Sequence, residues 1–240
     1  MKLFTSHKPN LENCPPKLKK NILAWKNANP TFEFEYFSDD QMLDWIHKNT
    51  DEETLKCFNS LNTGAGRADL YRIRKLYVEG GIWFDADLPP VNILGKIPNF
   101  FDEIKNHGTV FFVTRKTNEP RFMTMASIPN NFIFYDFEKQ ICKELNDYIK
   151  SKEFVATINL TGPKAFHRCM CKYLKYDKIS DIKIGQHFSE NNVSFVFLED
   201  VVDYSEKGDA CIMYKGYRKE LEVIGSKHHK FENAYILENI

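Results

Sequence analysis

The chain has 240 residues, 33 Lys plus Arg against 33 Asp plus Glu, and is 42% hydrophobic and 14% aromatic. That length and composition suit one sizeable α/β domain and exclude a disordered chain. Balanced charge gives no field that would track a nucleic-acid backbone, so no nucleic-acid partner is expected and a phosphorylated ligand must be met by local groups. In chain order, "KLFTS" reads as a short first strand, and "PKLKKNILAWKNANP" sets Leu18, Ile22 and Trp25 at helical spacing with Pro30 as a stop. "TFEFEYFS" alternates Phe32, Phe34 and Tyr36 with Glu33 and Glu35, the period of a half-buried strand. "SDDQMLDWIHKN" predicts a helix capped by Ser38 and carrying Met42, Leu43, Trp45 and Ile46, so the start reads β-α-β-α.

A helix is predicted over Asp69 to Glu79, with Leu70, Ile73, Leu76 and Tyr77 as its apolar face and Gly80 as its stop. Ile82 to Phe84 then form a short buried strand bounded by Gly and Pro. Thr109 to Arg115 and Asn130 to Phe137 are strand-like, although the second also fits the approach to a helix. Glu138 to Lys150 reads as a helix and Val193 to Glu199 as a late strand. Strands alternating with helices predict an open α/β sheet with ligand loops at strand ends, and the absence of repeats or a linker predicts one domain over 1–240.

Cys14, Cys57, Cys142, Cys169, Cys171 and Cys211 are scattered through a chain able to build a core, so reduced and mostly buried thiols are expected. "CMC" at Cys169 to Cys171 has no second pair at zinc-finger spacing, which argues against structural zinc. "MKLFTSHKPN" lacks the apolar core of a signal peptide, and no stretch approaches the roughly 18 apolar residues of a transmembrane segment.

The chemistry concentrates in "GGIWFDADLPP". If the strand persists, Asp85 and Asp87 point to the same side and converge on one cation. Two carboxylates suit a hard ion such as Mg²⁺ or Mn²⁺, which keeps waters and shares a substrate phosphate. A D-x-D triplet alone equally fits a solvated turn. Upstream, "GRADLYR" places Asp69 and Arg72 at i and i+3. These are either a surface ion pair worth under about 1 kcal/mol or a carboxylate and a guanidinium that hold sugar hydroxyls near the acidic pair.

The stretch "GRADLYRIRKLYVEGGIWFDADLPP" closely resembles the signature of glycosyltransferases with a DXD-containing sugar-binding region: a small residue, D-x-x-R, a helix, G-G, a short apolar strand and D-x-D. That family, of the glycosyltransferase family 32 type, includes yeast-type initiating α-mannosyltransferases and bacterial capsule enzymes, and the glucosylating domains of clostridial toxins carry a similar stretch. "PPKLKKNILAWKNANPTFEFEYFSDDQMLDWI" and "INLTGPKAF" are weaker echoes. The resemblance implies a GT-A fold, a Rossmann-like open twisted mixed sheet flanked by helices. It divides the domain into a nucleotide-sugar-binding half, 1–92, and an acceptor half with a closing segment, 93–240. It also implies a UDP- or GDP-sugar donor, a glycan or glycoconjugate acceptor, and Mn²⁺ or Mg²⁺.

Residue by residue, the resemblance implies that Asp87 binds the metal directly and that Asp85 contacts the donor ribose and helps the metal. Asp69 and Arg72 grip the transferred sugar, Trp83 stands near the nucleoside, and Phe4 and Thr5 end the strand that faces the base. Thr161 and Gly162 of "LTGP" edge the donor site, and His228 or His229 of "SKHHKFENAY" completes the metal shell or touches a phosphate. Core packing for Trp83, an ordinary turn for "LTGP" and solvated histidines are the plain alternatives. Ala234 and Tyr235 stand where the family has Ser and Trp, and the tryptophan often found after the first strand is missing, so the resemblance does not carry the base or the donor-closing contact.

Retention of configuration is implied, and since no residue must act as nucleophile, front-face attack is the expected route. The alternatives are a metal-dependent nucleotide-sugar phosphohydrolase and a non-catalytic nucleotide-sugar or glycan-binding module. Lack of an anchor leads to the expectation of a cytoplasmic bacterial or viral enzyme.

Overall fold

In the computed structural model, residues 1–114, 117–201 and 234 are described. The chain begins β1 (Lys2–Ser6), α1 (Pro16–Ala28), β2 (Glu33–Phe37), α2 (Asp39–Asn49), α3 (Glu52–Ser60), α4 (Gly64–Val78) and β3 (Gly81–Phe84). It continues α5 (Ile93–Lys96), α6 (Phe100–His107), β4 (Thr109–Val113), β5 (Pro120–Ser127), α7 (Phe132–Ser151), α8 (Thr157–Leu160), α9 (Pro163–Leu174), β6 (His187–Glu190) and β7 (Val193–Glu199). The strands form one sheet in the order β2-β1-β3-β5-β4-β7-β6. β1 is parallel to β2 and β3, β4 is parallel to β7, and the remaining pairs are antiparallel, so the sheet is mixed.

Strand alternation divides the core between the two faces. Phe4 and Trp83 point to the face covered by α4, α7 and α9, where Leu70, Ile73, Phe137 and Phe166 pack. Leu3, Ile82 and Phe84 point the other way, onto Trp25 of α1 and Phe100 and Ile104 of α6. β3 is buried on both faces and therefore reads as a continuous apolar run. No helix among the described residues is long and apolar enough to cross a membrane. Cys14, Cys57, Cys142 and Cys169 are buried free thiols and Cys171 is half-buried, while Cys211 lies outside the described residues.

Ser38 caps α2 as expected, in a reciprocal capping box with Gln41. The helix expected from Asp69 starts earlier, at Gly64. Thr63 caps it by accepting the Gly66 N–H at 3.0 Å, which offsets the poor helix propensity of Gly64 and Gly66. The strand-like run Asn130 to Phe137 belongs to α7 from Phe132 onward, with Asn131 as its cap, because its aromatics bury on a helical face. Glu35, expected on the solvated side of β2, is paired with Lys2 and with the buried Lys75, at 2.7 and 3.2 Å.

The two glycines after α4 are needed where it hands over to β3. Gly80 has φ +66° and a Cβ there would stand 2.6 Å from the Ser127 carbonyl oxygen; Gly81 has φ +110° and its Cβ would meet the Lys2 carbonyl at 2.9 Å. Gly80→Ala is expected to cost about 2 kcal/mol, through both the left-handed backbone and the displaced strand. Urea unfolding of the variant checks this.

Candidate functional site

Parallel β1, β2 and β3 deliver their C-terminal ends to one edge of the sheet, the usual place for ligand loops in open α/β folds. β3 stops at Phe84, and the chain then turns, with the Leu88 N–H donating to the Asp85 carbonyl at 3.0 Å. Asp85 and Asp87 therefore lie on a turn, not on a continuing strand. What overrides the strand is α1: Asn21 Nδ2 donates to the carbonyls of Ala86 and Leu88 at 2.8 and 2.7 Å, and Trp25 Nε1 donates to Leu88 at 2.9 Å. On the other side the Asp85 N–H donates to Met123 at 2.9 Å.

Arg72 is the hub. It is 5% exposed, and its Nη2 stands 2.8 Å from Asp69 Oδ1 while its Nη1 stands 3.1 Å from Asp85 Oδ1. Nη1 also donates to the Phe122 carbonyl at 2.6 Å. The pair is thus buried, not a surface ion pair. Trp83 is 1% exposed; its Nε1–H donates to Asp85 Oδ1 at 2.7 Å and its ring lies under the guanidinium, 4.7 Å from Cζ. Thr161, between α8 and α9, donates its hydroxyl to Asp69 Oδ2 at 2.9 Å. Gly162 follows as the residue preceding α9, where a Cβ would stand 2.9 Å from Ile158 Cα. Phe4 is fully buried edge-on to Trp83, and Thr5 is fully buried with an unpartnered hydroxyl.

Two carboxylates thus share one guanidinium, a third lies beside them, and their titration reflects it. Burial pushes Asp69 up to about 6, with Asp85 adding to the rise and Arg72 and Thr161 opposing it. Asp85 is raised by burial against the pull of Arg72 and Trp83. Burial and the neighbouring Asp85 charge push Asp87 up to about 7. Carboxylates so short of positive charge are the donor set a hard divalent cation fits. Among the described residues no three His, Cys, Asp or Glu are grouped so as to hold a metal ion, so an ion at Asp85 and Asp87 would need water or substrate oxygens to complete its shell.

His228 and His229 lie outside the described residues. Ala234 is described: its N–H donates to Val155 at 2.8 Å and its carbonyl accepts from Asn62 at 2.9 Å, which returns the chain to the start of α4. Reading the sequence missed Phe122 and the Met123 carbonyl, whose roles depend on how β5 pairs, and no local signal marks them. Thr161→Val removes a hydrogen bond to the buried Asp69 carboxylate and should cost about 1.5–3 kcal/mol of stability, the value of a hydrogen bond to a charged group. Urea unfolding of the variant measures it.

Residues 15–110 match the family described as the glycosyltransferase sugar-binding region containing the DXD motif. An uncharacterized glycosyltransferase of Acanthamoeba polyphaga mimivirus is 25% identical over 179 residues, 72% of this chain, and this chain spans 65% of that relative's length. Among solved structures, the PaToxG glycosyltransferase superposes with a TM-score of 0.50 at 15% identity, covering 72% of this chain and 68% of that one, a likeness of fold. Residues 15–110 are thus similar to the sugar-binding region of DXD-type glycosyltransferases, and the architecture is that of the GT-A fold.

Proposed function

We propose that the protein moves a sugar from a UDP- or GDP-sugar to a hydroxyl of a glycan or glycoconjugate, with a divalent metal and with retention of configuration. The observation that carries this reading is the buried Asp69–Arg72–Asp85 constellation with Asp87 beside it, at the strand ends where a nucleotide would lie. Asp87 is the direct metal ligand, Asp85 a second ligand and ribose contact, and His228 or His229 a third ligand. When bound, Mn²⁺ or Mg²⁺ supplies positive charge to the diphosphate that leaves. Asp69 and Arg72 hold the hydroxyls of the transferred sugar, and their mutual ion pair fixes both groups before substrate arrives.

How the carboxylates are used supports front-face attack over a covalent sugar–enzyme intermediate as the route to retention. Asp69 is bonded to Arg72 and Thr161, and Asp85 to Arg72 and Trp83, so neither is free to attack the anomeric carbon. The acceptor hydroxyl attacks from the face the diphosphate leaves, its oxygen bonding to the anomeric carbon as the bond to the phosphate oxygen breaks, and its proton passes to that oxygen. NMR of the first-formed product reports the anomeric configuration, and an inverted centre would sink this route.

The test of the whole reading is a thermal-shift screen of UDP-, GDP-, ADP- and CMP-sugars, each with and without Mn²⁺, repeated on Asp87→Ala. A fitting donor raises the melting temperature by mass action. The expected result is one donor class whose shift needs metal and vanishes in the variant. A folded protein that responds to none of them would overturn donor binding.

A further inference from the structure

Phe122 belongs to no motif, yet it holds Arg72 twice. Its carbonyl accepts from Nη1 at 2.6 Å, and its ring centroid lies 4.5 Å from the guanidinium carbon. With Trp83 at 4.7 Å, two aromatic rings hold the planar head of a single arginine. Phe122 is 3% exposed and is itself backed by Phe166 and Phe137, at centroid distances of 5.1 and 6.0 Å.

The fold reaches this arrangement through an irregularity in β5. Phe111 of β4 pairs with Met125, yet Val113 pairs with Pro120, so β5 carries extra residues between those two rungs. Simple alternation fails there: Phe122 faces the same core as Met125, while Met123 packs on the other. A bulge beside a site re-aims a side chain. This one turns the Phe122 ring and carbonyl onto Arg72 while the next carbonyl, of Met123, takes the Asp85 N–H.

The energetic need is clear from the charges. Asp69 and Asp85 repel one another, and one guanidinium satisfies both only if its plane is fixed, with Nη2 toward one and Nη1 toward the other. An arginine held by its ion pairs alone rotates about its terminal bonds. We infer that Phe122 is a positioning residue: with Trp83 it clamps the plane of Arg72, so that one side chain ties the sugar-holding Asp69 to the metal-holding turn. The functional half of this inference rests on the transfer reading above; the clamp itself does not.

Two variants and two readouts decide it. Phe122→Leu keeps apolar bulk and the carbonyl but removes the aromatic face, whereas Phe122→Tyr keeps the face. In ¹⁵N-arginine-labelled protein without ligand, the Arg72 side-chain signals, assigned by their loss in Arg72→Lys, should show restricted guanidinium rotation in the wild type and Phe122→Tyr and rapid averaging in Phe122→Leu. An unchanged Arg72 pattern in Phe122→Leu overturns the clamp.

In steady-state assays with Mn²⁺ and UDP-glucose, UDP-N-acetylglucosamine or GDP-mannose, Phe122→Leu should lower kcat by about tenfold or more while KM moves less than about twofold, because misplacement acts on the reacting geometry. Phe122→Tyr should restore most of kcat. A fall in kcat that follows lost thermal stability equally in both variants would make Phe122 merely structural and overturn the inference. If the wild type turns over none of these donors, the transfer reading fails, and the labelled-arginine spectra still decide the clamp.

Discussion

Asp87→Asn should raise the melting temperature of the metal-free protein at pH 8 and sharply lower the metal-dependent transfer proposed above. The folded protein holds the Asp87 carboxyl at about 7, against an ordinary value of 3.8, through burial and the neighbouring Asp85 charge. Between those values the folded state binds a proton that the unfolded state has released. Stability therefore falls as pH rises through that window, and the full penalty is present above about pH 7. Asparagine cannot ionise, so the variant escapes a penalty on the order of 2 kcal/mol at pH 8, about 4–8 °C for a chain of this length. At pH 4 the advantage should disappear.

On the proposed function, a metal would act on the same carboxylate from the other side. Mn²⁺ should stabilise the wild type more at pH 8 than at pH 6, where protons compete for Asp87, and should leave the variant nearly unmoved. Transfer in the variant should drop by about 10²- to 10³-fold, the scale of losing one preorganised electrostatic group. Melts at three pH values with and without Mn²⁺ check every part. A variant less stable than wild type at pH 8 would show that Asp87 is not short of positive charge.

Arg72→Met is expected to be the most damaging single change to stability. It leaves Asp69 and Asp85 facing one another with their shared cation gone, and removing one partner of a buried ion pair costs about 3–5 kcal/mol. Burial holds Asp69 at about 6 even with Arg72 present. Without Arg72 both carboxyls rise further and take up protons, so the deficit should be larger at pH 8 than at pH 5. Arg72→Lys restores a charge but not the planar fork that reaches two carboxylates and a carbonyl at once, so it should recover only part of the loss. Urea unfolding at the two pH values separates these cases. A deficit below about 1 kcal/mol would mean that these pairs behave as solvated ones.

How far the sequence could be read depended on the range of the forces involved. Ser38 with Gln41, the alternation of Phe32, Phe34 and Tyr36, and the glycines after α4 are local signals, and each element they announce is present. The i, i+3 spacing of Asp69 and Arg72 was equally plain, but their burial was not, because it comes from Phe122, Trp83 and Thr161. The short strand Ile82 to Phe84 was legible, but whether it persisted through Asp85 and Asp87 was not. It ends at Phe84 because Asn21 and Trp25, more than sixty positions earlier, bind the turn carbonyls. The aromatic run before Glu138 lacks the polar alternation that separates strand from helix, and tertiary packing decides for α7. Thr161 stood out only as part of a T-G-P turn; that it donates to a carboxylate 92 positions away cannot be seen in any window of sequence.

Asp69, Arg72, Asp85 and Asp87 all fall on one uninterrupted run of chain, α4 through the turn after β3, inside the region that matches the family. Among the described residues, side chains from beyond residue 92 brace this run at several points: Thr161 on Asp69, Phe122 on Arg72, Glu138 on Arg74, and Phe132 and Tyr135 on Tyr77. A chimaera that joins residues 1–92 to a foreign second half should therefore keep this run in place only if the newcomer supplies a strand that pairs with β3 and a helix face that seats Arg74 and Tyr77, as well as a hydroxyl and an aromatic ring at the places of Thr161 and Phe122.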